Sequence, residues 1–87
     1  MKPETPVRLC SFNGTHRGPR DTKASENYWL LVGSTGVVHS FNPQLGRYLV
    51  VFDRSVSSFG LHCHNPVPNS LYIAPPDLVV AETGSAV

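Results

Sequence analysis

Eighty-seven residues leave room for one small domain and no second. Charged residues make up 15% of the chain and the net charge is +1, so no strong overall field draws it to nucleic acid or to a membrane surface. Two cysteines, Cys10 and Cys63, are too few for a disulfide framework, and no apolar run is long enough to span a bilayer as a helix.

In chain order, residues 5–10, TPVRLC, alternate with Val7 and Leu9 on one face, which predicts a first strand. The stretch SFNGTHRGPRDTKASEN follows, rich in Gly, Ser, Thr, Asn and charge. It reads as a long exposed loop with residues 13–26 as its body. Loops of that length in small domains are usually functional or disordered. Residues 28–32, YWLLV, are apolar throughout and too short for periodicity to separate a buried strand from a helical turn.

Gly33 and Gly36 bracket a tight bend, and residues 37–41, VVHSF, predict the next strand. NPQLG turns the chain into residues 47–53, RYLVVFD, an aromatic and β-branched run that completes a hairpin. RSVSSFG reads as a second loop and residues 60–64 as a short strand. NPVPN at 65–69 cannot lie in a central strand, because its prolines remove ladder donors. SLYIA at 70–74 is a further strand, PPDL turns the chain as a single 3-10 turn, and LVVA at 78–81 closes the order. The tail at 83–87 is expected to fray, leaving an ordered single domain over about 5–82.

This order implies an all-β domain, and closure into a barrel would remove its exposed edges. Gly36-Val37-Val38, Tyr48-Leu49-Val50-Val51-Phe52-Asp53, and Leu71-Tyr72-Ile73 followed by Pro76-Asp77-Leu78 carry a resemblance. Over residues 5–82 the chain resembles the SH3-like small barrels, including the translation-factor type built around a Gly-x-Val hairpin. The resemblance implies an SH3-like barrel of five to six short strands, with a long first loop and a 3-10 turn before the last strand. Plasmid-encoded trimethoprim-resistant dihydrofolate reductases share the layout. Ser70-Leu71-Tyr72-Ile73 stands where their Val-Gln-Ile-Tyr motif would be, so their activity is not carried over. The acidic long loop and paired tryptophans of peptide-binding SH3 domains are missing as well. The resemblance implies an architecture and no particular activity.

The densest chemistry lies in GLHCHNPVPNSLY, residues 60–72. On a strand His62 and His64 share a face and Cys63 takes the other. Such a pair can hold a metal, but a structural zinc needs four ligands and a catalytic one three plus water. The remaining supply, His16, His39, Asp53 and Cys10, is scattered, and no CxxC or HExxH motif completes a set. Cys63 would face away from both histidines and lacks the base a nucleophile needs. Gly33-Ser34-Thr35-Gly36 is not followed by the lysine of a phosphate loop.

No catalytic set emerges, and no cofactor is expected. Tyr28, Trp29, Phe59, His62, His64 and Tyr72 are expected to form an aromatic and histidine-bearing rim, with an apolar centre and a polar edge of the interface type. The expected function is a non-catalytic binding or assembly module whose partner is another protein or a second copy of itself. Two alternatives stand beside it. His62 and His64 could serve a metal-binding protein or a metal-dependent enzyme, and Arg17, Arg20 and Lys23 could touch the phosphates of RNA or DNA. Charge weakens the nucleic-acid alternative. Residues 1–25 hold Lys2, Arg8, Arg17, Arg20 and Lys23 against Glu4 and Asp21, or +3, while the rest holds Arg47 and Arg54 against Glu26, Asp53, Asp77 and Glu82, or −2. MKPETPVRLC lacks the apolar core of a secretory signal, so a reducing cytoplasm is the expected location, with both cysteines as thiols.

Overall fold

A computed structural model describes residues 1–61, 65 and 67–81. The chain is mostly β, with five antiparallel strands in one sheet and no α-helix among the described residues. The strands are β1 (Pro6–Leu9), β2 (Thr35–Asn42), β3 (Arg47–Phe52), β4 (Ser70–Ile73) and β5 (Leu78–Val80). Their order across the sheet is β4-β3-β2-β1-β5. The last strand therefore returns beside the first. No described helix is long and apolar enough to cross a membrane.

Alternation sets which side chains turn inward. Val50 pairs with Val38 on one side and Leu71 on the other, and Phe52 pairs with Gly36. Side chains opposite one another share a face, so Val38, Val50, Phe52, Leu71 and Ile73 line one surface with Val7 and Leu9. Gly36 is required where it stands: a Cβ there would collide with the Val51 carbonyl oxygen of β3. The β2–β3 turn is held by Asn42, whose Oδ1 accepts the N–H groups of Gln44 at 2.9 Å and Leu45 at 3.2 Å. A bulge at His39 shifts the register, so that Ser40 rather than His39 faces Leu49.

Two short helical turns close the core where strands leave it open. Residues Tyr28–Leu31 form a 3-10 helix that buries Leu31 completely. Val56–Phe59, within the segment expected to be a plain loop, is a second 3-10 helix. It buries Val56 and half-buries Phe59, which pack on the same cluster. Leu61 is also buried there. Of the strand expected at 60–64, Gly60 and Leu61 lie outside any strand, while His62, Cys63 and His64 are not among the described residues. Ala24–Glu26, within the segment 13–26 expected to be loop, and Pro75–Asp77, immediately ahead of β5, are further 3-10 turns.

Candidate functional site

The long loop after β1 begins with a hairpin of its own. Phe12 and Thr15 exchange both backbone hydrogen bonds, at 2.8 and 3.1 Å. Between them Asn13 and Gly14 take positive φ values of 52° and 81°. Two successive positive φ values define the type I′ turn, which favours Asn-Gly because Gly has no Cβ and Asn tolerates the left-handed region.

Three distant groups hold this tip. Asp77 is 1% exposed, and its carboxylate accepts from Ser11 Oγ at 2.5 Å, from Asn13 N–H at 2.9 Å and from Gly14 N–H at 3.0 Å. Arg47, at the start of β3, donates to Asn13 Oδ1 at 2.9 Å. The indole N–H of Trp29 is shared between Phe12 O at 3.0 Å and Thr15 Oγ1 at 2.9 Å. The ring of Phe12 meets Trp29 nearly perpendicular at 4.9 Å and Tyr28 tilted at 5.8 Å. The loop is exposed along much of its length, yet its base is fixed by charge-assisted and aromatic contacts.

Beyond the tip the loop folds over the tryptophan. A Cβ on Gly18 would stand 2.7 Å from Trp29 Cε3, so the backbone of Gly18 lies directly against the indole. His16 donates from Nδ1 to the Cys10 carbonyl at 3.1 Å, since a carbonyl oxygen can only accept. Beside Trp29 a cavity of about 310 Å³ opens, lined by His16, Arg17, Gly18, Asn27, Trp29 and Leu30. Trp29 is half-buried and Leu30 is 50% exposed, so the cleft offers an apolar surface to solvent. Around it stand a guanidinium, an imidazole and a carboxamide, and no carboxylate. A cleft of this make can hold an apolar group while pairing a polar or anionic one.

A second cavity, of about 430 Å³, lies over the sheet between Pro3, Glu4, Val37, Val38, His39 and Val51. It is larger, but valines make up half its lining. The Trp29 cleft combines an anchored aromatic with a cation and an amide, and that mixture is what discriminates a ligand.

The expected site residues divide among several settings. Tyr28 and Trp29 meet through Phe12. Phe59 packs against the core from its own helical turn. Tyr72 is half-buried opposite Leu49, on the face of β4 turned away from Leu71 and Ile73. His62 and His64 lie outside the described residues, as does Cys63. Of the three basic residues singled out, Arg17 lines the cleft, while Arg20 and Lys23 are exposed elsewhere on the loop. The structure therefore joins Trp29 of the expected rim to Arg17 of the basic loop.

Asp53 accepts from Thr35 Oγ1 at 2.6 Å, and His39 Nδ1 meets Ser40 Oγ at 3.1 Å. Among the described residues no three of His, Cys, Asp and Glu gather in a way that could hold a metal ion. Of the other lining residues, His16 carries a sequence signal only as a scattered metal-ligand candidate, and Gly18, Asn27 and Leu30 carry none as single residues. An FNGT turn at 12–15, with the lone tryptophan at 29 further along the same loop, is the signal that could have pointed to them. Comparisons with protein-family models, with curated proteins and with solved structures each return no match.

Proposed function

We propose that the chain is an SH3-like barrel acting as a non-catalytic binding module, and that the Trp29 cleft is where it engages a protein partner. The strand order, with the last strand beside the first, supports the barrel reading, as does the helical turn ahead of β5. The observation that carries the binding reading is the cleft itself. A solvent-facing apolar surface of Trp29 and Leu30 is bordered by Arg17, His16 and Asn27, and the tryptophan is fixed before any ligand arrives. Fixing a contact residue in advance lowers the ordering cost of association. Tryptophan and arginine are also the residue types that dominate binding energy at protein interfaces.

Selection from displayed random linear peptides tests this reading. Peptides enriched on the wild-type domain should lose binding to Leu30→Ser and to Asn27→Ala, which alter exposed or half-exposed lining positions. They should keep binding to Val79→Thr on the edge strand β5, which lies outside the cleft lining. Enrichment that ignores the cleft variants, or no enrichment at all, rejects the reading. Sedimentation of the free domain over a range of concentrations separates a second copy of the chain from a different protein as the partner.

A further inference from the structure

We infer that the Trp29 cleft selects an acidic peptide segment, one carrying an aspartate or glutamate beside an apolar residue; the inference rests on the peptide-binding reading above. The lining contains one full positive charge, Arg17, and no carboxylate. Asp21 and Glu26, the acidic residues of the same loop, are exposed and are not part of the lining. The Arg17 side chain has no ion pair among the described residues, so its guanidinium is free to take a carboxylate in a two-point contact. Beside it, Trp29 and Leu30 supply the apolar surface, and the Asn27 carboxamide can pair with a peptide backbone as donor and acceptor.

The same groups would also suit a nucleotide if a base could stack, and the geometry argues against that. Gly18 lies against one side of the indole and Phe12 meets the ring nearly perpendicular at 4.9 Å. The contact surface left to a ligand is shared with Leu30, an aliphatic side chain that offers a base no stacking face. One guanidinium in the cleft and a net charge of +1 give little neutralisation along a phosphate chain. An acidic peptide needs one charge paired and one side chain buried, which the cleft provides.

Trp29 is the only tryptophan in the chain, so intrinsic fluorescence reports on this cleft directly. The probes are a blocked Asp-Leu-Asp-Leu peptide, its Asn-Leu-Asn-Leu counterpart, and adenosine monophosphate, each titrated into the intact domain. The expected result is a saturable emission change with the acidic peptide and binding weaker by about tenfold for the neutral one. Arg17→Gln, at an exposed position that leaves folding intact, should weaken the acidic peptide by about the same factor and leave the neutral peptide unchanged. Equal affinity for the two peptides would overturn the acidic preference while leaving the peptide-binding reading in place. Tighter binding of the nucleotide would overturn the inference in favour of nucleic acid. No saturable response to any probe, together with failure of the peptide selection, would overturn both.

Discussion

Replacing Asp77 by asparagine keeps the shape of a buried side chain, removes its negative charge and puts an N–H donor in place of one acceptor oxygen. In the native protein one oxygen takes the Ser11 hydroxyl and the Gly14 N–H, and the other takes the Asn13 N–H. Asparagine has one carbonyl oxygen, so its amide nitrogen must face a donor. In one orientation the nitrogen opposes the Asn13 N–H and in the other the Gly14 N–H, while the Ser11 hydroxyl can turn and accept from it, so one hydrogen bond is lost either way. A hydrogen bond to a charged group contributes roughly 1.5 to 3 kcal/mol, so Asp77→Asn should destabilise the domain by about 2 to 3 kcal/mol. A domain of this size has a total stability of roughly 4 to 13 kcal/mol, so the asparagine variant should still fold. Asp77→Ala, which deletes all three bonds, should cost about 4.5 to 9 kcal/mol, enough to unfold a domain in the lower part of that range. Urea denaturation followed by Trp29 fluorescence measures the effect. With a slope of about 1 to 3 kcal/mol per molar urea, the midpoint should fall by about 0.7 to 3 M. Asp53→Asn, which alters an exposed carboxylate bonded to Thr35, serves as the control and should cost less than about 1 kcal/mol. An Asp77→Asn variant within about 0.5 kcal/mol of wild type would refute the claim that this carboxylate holds the loop.

Three further substitutions probe the frame around the site. Gly36→Ala pushes a methyl into the β3 backbone and should cost about 1 to 3 kcal/mol by thermal denaturation; a neutral result contradicts the Gly36–Phe52 register. Leu31→Ala empties a fully buried position in a 3-10 turn and should cost about 2 to 5 kcal/mol, where a loss under about 1 kcal/mol would mean the turn does not close the core. Glu4 has φ at 68° after Pro3, the left-handed position of a type II turn closed by Thr5 N–H to Lys2 O at 3.1 Å. Glu4→Gly should therefore stabilise the domain by about 0.5 to 1 kcal/mol, and a lowered melting temperature would show that Glu4 is not strained.

The strands were legible because their side chains obey short-range rules. RYLVVFD sits between turn residues and occupies the strand Arg47–Phe52, and SLYIA contains Ser70–Ile73 in the same way. YWLLV and SVSSF were harder, since a four-residue helical turn carries too few positions to show a period. Val56 and Phe59, three apart and both turned to the core, are its only trace. The cleft was half legible. Trp29 and Arg17 each carry a signal, one aromatic and one basic, but 11 residues separate them and no local pattern links the two. What joins them is long-range: a carboxylate 64 residues from Asn13 and a guanidinium 34 residues away fix the hairpin tip against which the tryptophan docks. Pattern within a window cannot report such pairings. His62-Cys63-His64, the most conspicuous cluster in the sequence, lies outside the described residues.

A two-dimensional amide NMR titration with a selected peptide tests directly whether the Trp29 cleft binds it. The lone indole N–H gives one cross-peak, and the Gly18, Asn27 and Leu30 amides report on the rest of the lining. These four signals should move together and saturate at one affinity, while the amides of Val79 and Val80 on β5 stay where they are. Perturbations centred on β5 or around Tyr72 of β4, with the indole signal unmoved, would contradict binding at the Trp29 cleft.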